Sequence, residues 1–135
     1  MIAERTDSLV ATDISEVVLE TARQRLRDAG LEGVDLRPAE LPGGVPAGPF
    51  DTIIASEVLY YLPAGEVAES ATRLADALAP GARLLVAHTR GYFAHHAMSA
   101  DRAARLVAGT RGLRSVRRWG GSELRVDLFE RAQAG

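Results

Sequence analysis

An aspartate, Asp13, closes the apolar run Ser8-Leu9-Val10-Ala11-Thr12, and a helical pattern starts at Ser15-Glu16. A carboxylate at the C-terminal tip of such a strand is where open α/β folds that bind nucleotides hold a ribose. Those folds carry a glycine-rich cradle roughly 20 residues before the acid. Here twelve residues precede Asp13 and none is glycine. The expected fold is therefore a nucleotide-type α/β sheet that begins after its own first strand.

The rest of the chain alternates strand and helix patterns. Residues 1–6 read as the last turn of a helix and residues 8–13 as a strand. A helix over Glu16–Ala29 follows, capped by Ser15 and Gly30, with Val18, Leu19, Ala22, Leu26 and Ala29 on its inner face. Residues 34–37 form a short strand ending at Pro38. The stretch Leu41–Pro49, with three Pro and three Gly, is loop.

Phe50-Asp51-Thr52-Ile53-Ile54-Ala55-Ser56 reads as a strand buried on both faces. Glu66–Leu78 is a second amphipathic helix, with Val67, Ala71, Leu74, Ala75 and Leu78 facing in. Pro80-Gly81 turns the chain into a strand over Arg83–His88, and Ser99 caps a third helix ending near Ala108. Ser115–Trp119 and Leu124–Phe129 pair as a hairpin through Gly120-Gly121-Ser122-Glu123, with Trp119 in its core. On the last strand Leu124, Val126 and Leu128 alternate with outward Arg125 and Asp127. Strands alternating with helices give a parallel sheet, finished here by an antiparallel pair.

Composition narrows the function. The 135 residues suffice for a single domain, 1–135. A net charge of −2 supplies no footprint for nucleic acid or an acidic membrane. No apolar run approaches the ~18–20 residues that span a bilayer. With no cysteine there is no thiolate metal site, which fits a reducing cytoplasm. All 16 basic residues are arginine, so no lysine is present as a nucleophile or Schiff-base donor. His95 and His96 are adjacent, their side chains diverge, and no metal site is expected.

Three segments together resemble class I S-adenosylmethionine-dependent methyltransferases. They are Leu9-Val10-Ala11-Thr12-Asp13-Ile14-Ser15, the run from Phe50 through Ser56-Glu57-Val58-Leu59-Tyr60-Tyr61-Leu62, and Leu78-Ala79-Pro80-Gly81-Ala82-Arg83-Leu84-Leu85-Val86. The second is most similar to the nodulation-protein-S group of small-molecule N-methyltransferases. The resemblance implies a seven-stranded sheet in the order 3-2-1-4-5-7-6, of which this chain supplies counterparts of strands two to seven. The family's E/D-x-G-x-G-x-G loop after its first strand has no counterpart, and Ala82 stands where the family commonly has glycine.

The resemblance also implies a site. Asp13 would accept both ribose hydroxyls of S-adenosylmethionine, or cap the following helix, or do both. Glu40 aligns with the acid that receives the adenine amino group, or is a solvated loop glutamate. Ile14 and Leu41 adjoin these two, and Ser56 borders the methyl end. Glu57, also at the methyl end, would take a proton from a substrate ammonium or hold that ammonium in place, or is a charge at a helix N-terminus. His88, at the tip of its strand, is a candidate base, or else a solvent-facing strand end. Tyr60 and Tyr61 would border the acceptor, or divide between core and surface.

Three readings of the whole chain follow. The first is an S-adenosylmethionine-dependent methyltransferase acting on a small-molecule amine or amino sugar, inactive and weak in cofactor affinity until a missing N-terminal segment is restored. The second is a non-catalytic, methyltransferase-like interaction module whose sheet a partner chain completes. The third, an NAD-dependent Rossmann oxidoreductase fragment, uses Asp13 similarly but accounts for neither Ser56–Leu62 nor the terminal hairpin.

Overall fold

The computed structural model describes residues 2–91 and 94–133, which fall into two compact units, Met1–Pro46 and Ala47–Gly135. In unit 1 a short 3-10 turn, Ile2–Arg5, leads to β1 (Leu9–Asp13), α1 (Glu16–Asp28) and β2 (Val34–Pro38). β1 and β2 pair in parallel, with Asp13 opposite Pro38. The Ser15 side chain accepts from the Val18 N–H and caps α1. Gly30 follows the helix at φ +69°, a left-handed conformation that costs a residue with a Cβ about 1–2 kcal/mol.

Of the inner face expected for α1, Leu19 is buried, whereas Val18 is half exposed. Among the described residues β1 pairs with β2 alone.

Unit 2 holds β3 (Phe50–Ser56), α2 (Ala64–Ala77), β4 (Leu78–Thr89), α3 (Ala100–Ala108), β5 (Leu113–Gly120) and β6 (Leu124–Arg131). Its sheet runs β3-β4-β6-β5, parallel between β3 and β4 and antiparallel thereafter. The two sheets reproduce the two halves of the order 3-2 and 4-5-7-6 that the sequence led us to expect.

All five apolar residues assigned to the inner face of the second helix pattern are buried, and Leu78 already belongs to β4. They join Leu59, Leu84, Val86, Val107 and Phe129 in one core, where each large side chain contributes roughly 1.5–3 kcal/mol.

Four readings are corrected. Pro80-Gly81 is not a turn before a strand. β4 runs through it, and Gly81 at φ +78° absorbs the register shift between the Phe50–Leu78 and Thr52–Arg83 pairs. β3 is not buried on both faces: Ala55 is buried on one, while Thr52, Ile54 and Ser56 on the other are exposed, Ile54 to 45%.

Arg125 and Asp127 point into protein rather than water. They share a face of β6 with Phe129, opposite the buried Leu84, Val86 and His88 of β4, and α3 packs against this strand. Trp119 lies on the outermost strand, half exposed, with the Arg117 guanidinium 5.4 Å from its ring centre.

Candidate functional site

In unit 1 the candidate residues gather at the C-terminal ends of two parallel strands. The Asp13 carbonyl accepts from the Ala39 N–H at 3.1 Å, tying the end of β1 to the segment that leads to Glu40. The part-buried Asp13 carboxylate turns back to accept the Ser15 N–H through Oδ1 at 2.8 Å. Ser15 rather than Asp13 caps α1; Asp13 steadies the cap residue, and among the described residues a single donor leaves its carboxylate with acceptor capacity to spare. Ile14 and Glu40 are exposed and Leu41 is half-buried.

In unit 2 the parallel register sets Ser56 beside Ala87, so the ends of β3 and β4 meet at one edge of the sheet. The Glu57 N–H donates to the Ala87 carbonyl at 2.9 Å, and the chain then breaks into the 3-10 turn Leu59–Tyr61. Glu57 makes that break at φ +58°. It is the one described residue other than glycine in the left-handed region, at a cost of about 1–2 kcal/mol.

The side chain offsets this. Its Oε1 accepts from the Thr89 N–H at 2.6 Å and the Thr89 hydroxyl at 3.0 Å, and its Oε2 accepts from the Tyr60 hydroxyl. Burial alone would raise the Glu57 pKa, but the Tyr60 and Thr89 donors outweigh it and hold the carboxyl below its ordinary value. Tyr60 is pushed the other way, by burial first and then by the carboxylate it serves, and stays protonated.

His88 is neither solvent-facing nor free at both nitrogens. Its ring is 1% exposed and its Nε2 accepts from the Leu59 N–H at 3.1 Å. Burial lowers its pKa to about 4, against the opposing pull of the Glu57 charge, so the ring is neutral at physiological pH.

Tyr60 is buried and Tyr61 is 48% exposed. The Tyr60 carbonyl accepts from the N–H groups of Ala97 and Met98, at 2.8 and 3.3 Å, which brings His96 onto the same aromatic group. The His96 ring lies over Tyr60 with centroids 3.7 Å apart, and meets Tyr61 edge-on at 4.8 Å.

Two participants escaped sequence reasoning. Thr89 adjoins His88, and its role as a double donor depends on the β3–β4 register. His96 stands out in the sequence only as the neighbour of His95, and nothing local to it points toward Tyr60, 36 positions away.

Whether these residues suit S-adenosylmethionine can be judged from their chemistry. Adenosine presents ribose hydroxyl and exocyclic amine donors. Asp13 and Glu40 supply acceptors on one edge of one parallel pair, which fits that half of the molecule.

A family model described as a methyltransferase domain matches residues 1–84. A crystal structure from Pseudomonas syringae described as a methyltransferase is 32% identical, with a TM-score of 0.79, covering 96% of this chain and 77% of the other. The N-methyltransferase NodS of Bradyrhizobium japonicum WM9 is similar in fold, with a TM-score of 0.80 at 20% identity, covering 93% and 74% of the two chains. It also has a structure in complex with S-adenosyl-L-homocysteine.

Among curated proteins, the nonribosomal peptide synthetase CymA of Salinispora arenicola (strain CNS-205) is 37% identical over 98 residues. That match takes in 70% of this chain and 1% of CymA, so the chain spans a very small part of that relative. With the family model covering most of its length, this chain belongs to the S-adenosylmethionine-dependent methyltransferases.

Proposed function

We propose that residues 1–135 are one methyltransferase domain that methylates the nitrogen of a small-molecule amine or amino sugar, as a relative of the nodulation-protein-S group. The observation that carries this reading is the Glu57 carboxylate, kept ionised at the sheet edge by donors that are all neutral. A fixed negative charge there suits an acceptor that arrives as an ammonium. NodS, similar in fold, is an N-methyltransferase, which points the same way.

Asp13 would hold the ribose hydroxyls and Glu40 the adenine amine, with Ile14 and Leu41 beside them. Ser56 would border the reactive end. S-adenosylmethionine, when bound, supplies an electrophilic methyl group on a sulfonium. The acceptor nitrogen needs a free lone pair to attack, so its proton passes to solvent water before transfer. A carboxyl of depressed pKa is a weak base, so Glu57 orients the acceptor, and positioning supplies much of the barrier reduction. His88, neutral and committed to the Leu59 N–H, supports the turn that carries Tyr60 and Tyr61.

Saturation-transfer NMR with S-adenosyl-L-homocysteine, which detects weak binding, tests the cofactor half. The wild-type chain is expected to give ribose-proton signals, and Asp13→Ala to weaken binding at least tenfold, the loss of charge-assisted bonds worth about 1.5–3 kcal/mol. Equal binding by the variant would remove Asp13 from the site.

The second reading, a module completed by a partner strand, is favoured by one observation. Among the described residues β1 and β3 each pair on one side only. A stable complex with a strand-donating chain, seen as protection of β3 amides from exchange, would support it.

A further inference from the structure

We propose that His96 is a specificity-determining residue, forming with Tyr61 and Glu57 an aromatic, singly charged corner that selects a cationic methyl acceptor over its neutral isostere. The proposal rests on the amine reading above and adds to it the group that recognises the cation.

Four observations meet here. The rings of Tyr60, Tyr61 and His96 form one group, Tyr60 tilted by 32° from His96 and Tyr61 crossing both, at 78° and 88°. Tyr60 is buried beneath the others with its hydroxyl committed to Glu57, so Tyr61 and His96 are the members that reach solvent.

The segment carrying His96 is held in place by two N–H donors to the Tyr60 carbonyl and by the buried side chain of Met98. The charge is the fourth observation. Among the described residues, the bonding partners of the Glu57 carboxylate are a phenol, a hydroxyl and a peptide N–H, which stabilise its charge without cancelling it. The nearby cations Arg90 and Arg125 are paired with Asp101, and Arg125 also with Asp127.

Aromatic faces beside an unneutralised carboxylate attract an organic cation through ring quadrupole and charge together. A neutral molecule of the same shape gains only the apolar contact. Discrimination between the two is therefore the signature of this corner.

Choline and its neutral isostere 3,3-dimethyl-1-butanol are suitable probes, titrated against the full chain and followed by ligand-observed NMR. Choline is expected to bind at least fivefold more tightly than the isostere, with its methyl resonance shifted upfield by the rings. His96→Ala and Tyr61→Leu should each weaken choline binding at least fivefold, while His96→Phe, which keeps a ring, stays within twofold of wild type. Circular dichroism identifies any variant that fails to fold, and the wild-type comparison of choline with the isostere stands without variants.

Equal binding of the two probes, no saturable choline binding, or wild-type affinity in His96→Ala would each overturn the proposal. The S-adenosyl-L-homocysteine titration reports on Asp13 separately, so failure here leaves the cofactor reading intact.

Discussion

At pH 7.5, His88→Ala is expected to lose about 3–5 kcal/mol of stability, because it empties a packed ring position and orphans the buried Leu59 N–H. His88→Gln keeps an acceptor on a longer, flexible stem and should lose clearly less than the alanine variant.

The same residue gives unit 2 an acid sensitivity with a defined sign. The folded pKa of about 4 lies below the unfolded value near 6.5, so the unfolded chain takes up the proton first as pH falls. The contribution is fully present above pH 6.5, declines through the window from 6.5 to 4, and is gone below it. The whole change amounts to about 3 kcal/mol. Urea denaturation followed by circular dichroism at pH 7.5 and 4.5 measures it. The wild type should lose far more stability between the two conditions than His88→Gln does, and matching losses would refute the role given to the ring.

His88 also shows how far the sequence could be read. Its position at the end of a strand followed from the apolar run before it, and so did the edge of the sheet that it occupies. Its burial did not, since that depends on the 3-10 turn Leu59–Tyr61 folding over the strand end and offering a peptide N–H.

The same division recurs along the chain. α2 announced its inner face through spacings of three and four because that face meets a complete core. α1 has the same periodicity, yet Val18 on its expected inner face is exposed, since periodicity identifies an apolar face without supplying what covers it. On β6 the alternating pattern gave the strand but assigned Arg125 and Asp127 to solvent. The error has a physical source. Alternation separates two faces without saying which one the core covers, and ion pairing lets charges lie on the covered one.

Within the site, Asp13 and Glu57 stood out because an acid at a strand end is conspicuous. Thr89 and His96 enter through register and a loop contact, neither of which leaves a local trace. The geometry of Glu57 was equally hidden, because a glutamate does not announce a left-handed φ.

The buried charges on β6 carry the second large effect. Arg125 is 8% exposed and Asp127 is 7% exposed. The two lie on one face of the strand, where the Arg125 Nε and Nη2 donate to the two Asp127 carboxylate oxygens at 2.8 and 3.1 Å. Nη1 donates to Asp101, in the first turn of α3, at 3.0 Å. Arg90 reaches the same Asp101 oxygen at 3.1 Å and the Gly121 carbonyl at 2.7 Å.

Arg125→Ala would leave the Asp127 carboxylate buried without a cation, and should cost about 3–5 kcal/mol in urea denaturation. Lysine restores the charge but not the planar fork, so Arg125→Lys should recover only part of the loss. Replacing both partners, as Arg125→Met with Asp127→Leu, removes the uncompensated charge and should recover most of it. A double variant as unstable as Arg125→Ala would mean that packing, not pairing, holds this face.

The network also bears on recognition. Arg90 and Asp101 stand on either side of the segment that carries His96, and Arg125 fixes the shared Asp101. Amide exchange at Ala97 and Met98, whose N–H groups hold the Tyr60 carbonyl, should therefore quicken in Arg125→Ala under conditions where the variant remains folded. Unchanged exchange there, alongside the lost stability, would confine the network to the sheet and leave the Tyr60 carbonyl as the anchor of that segment.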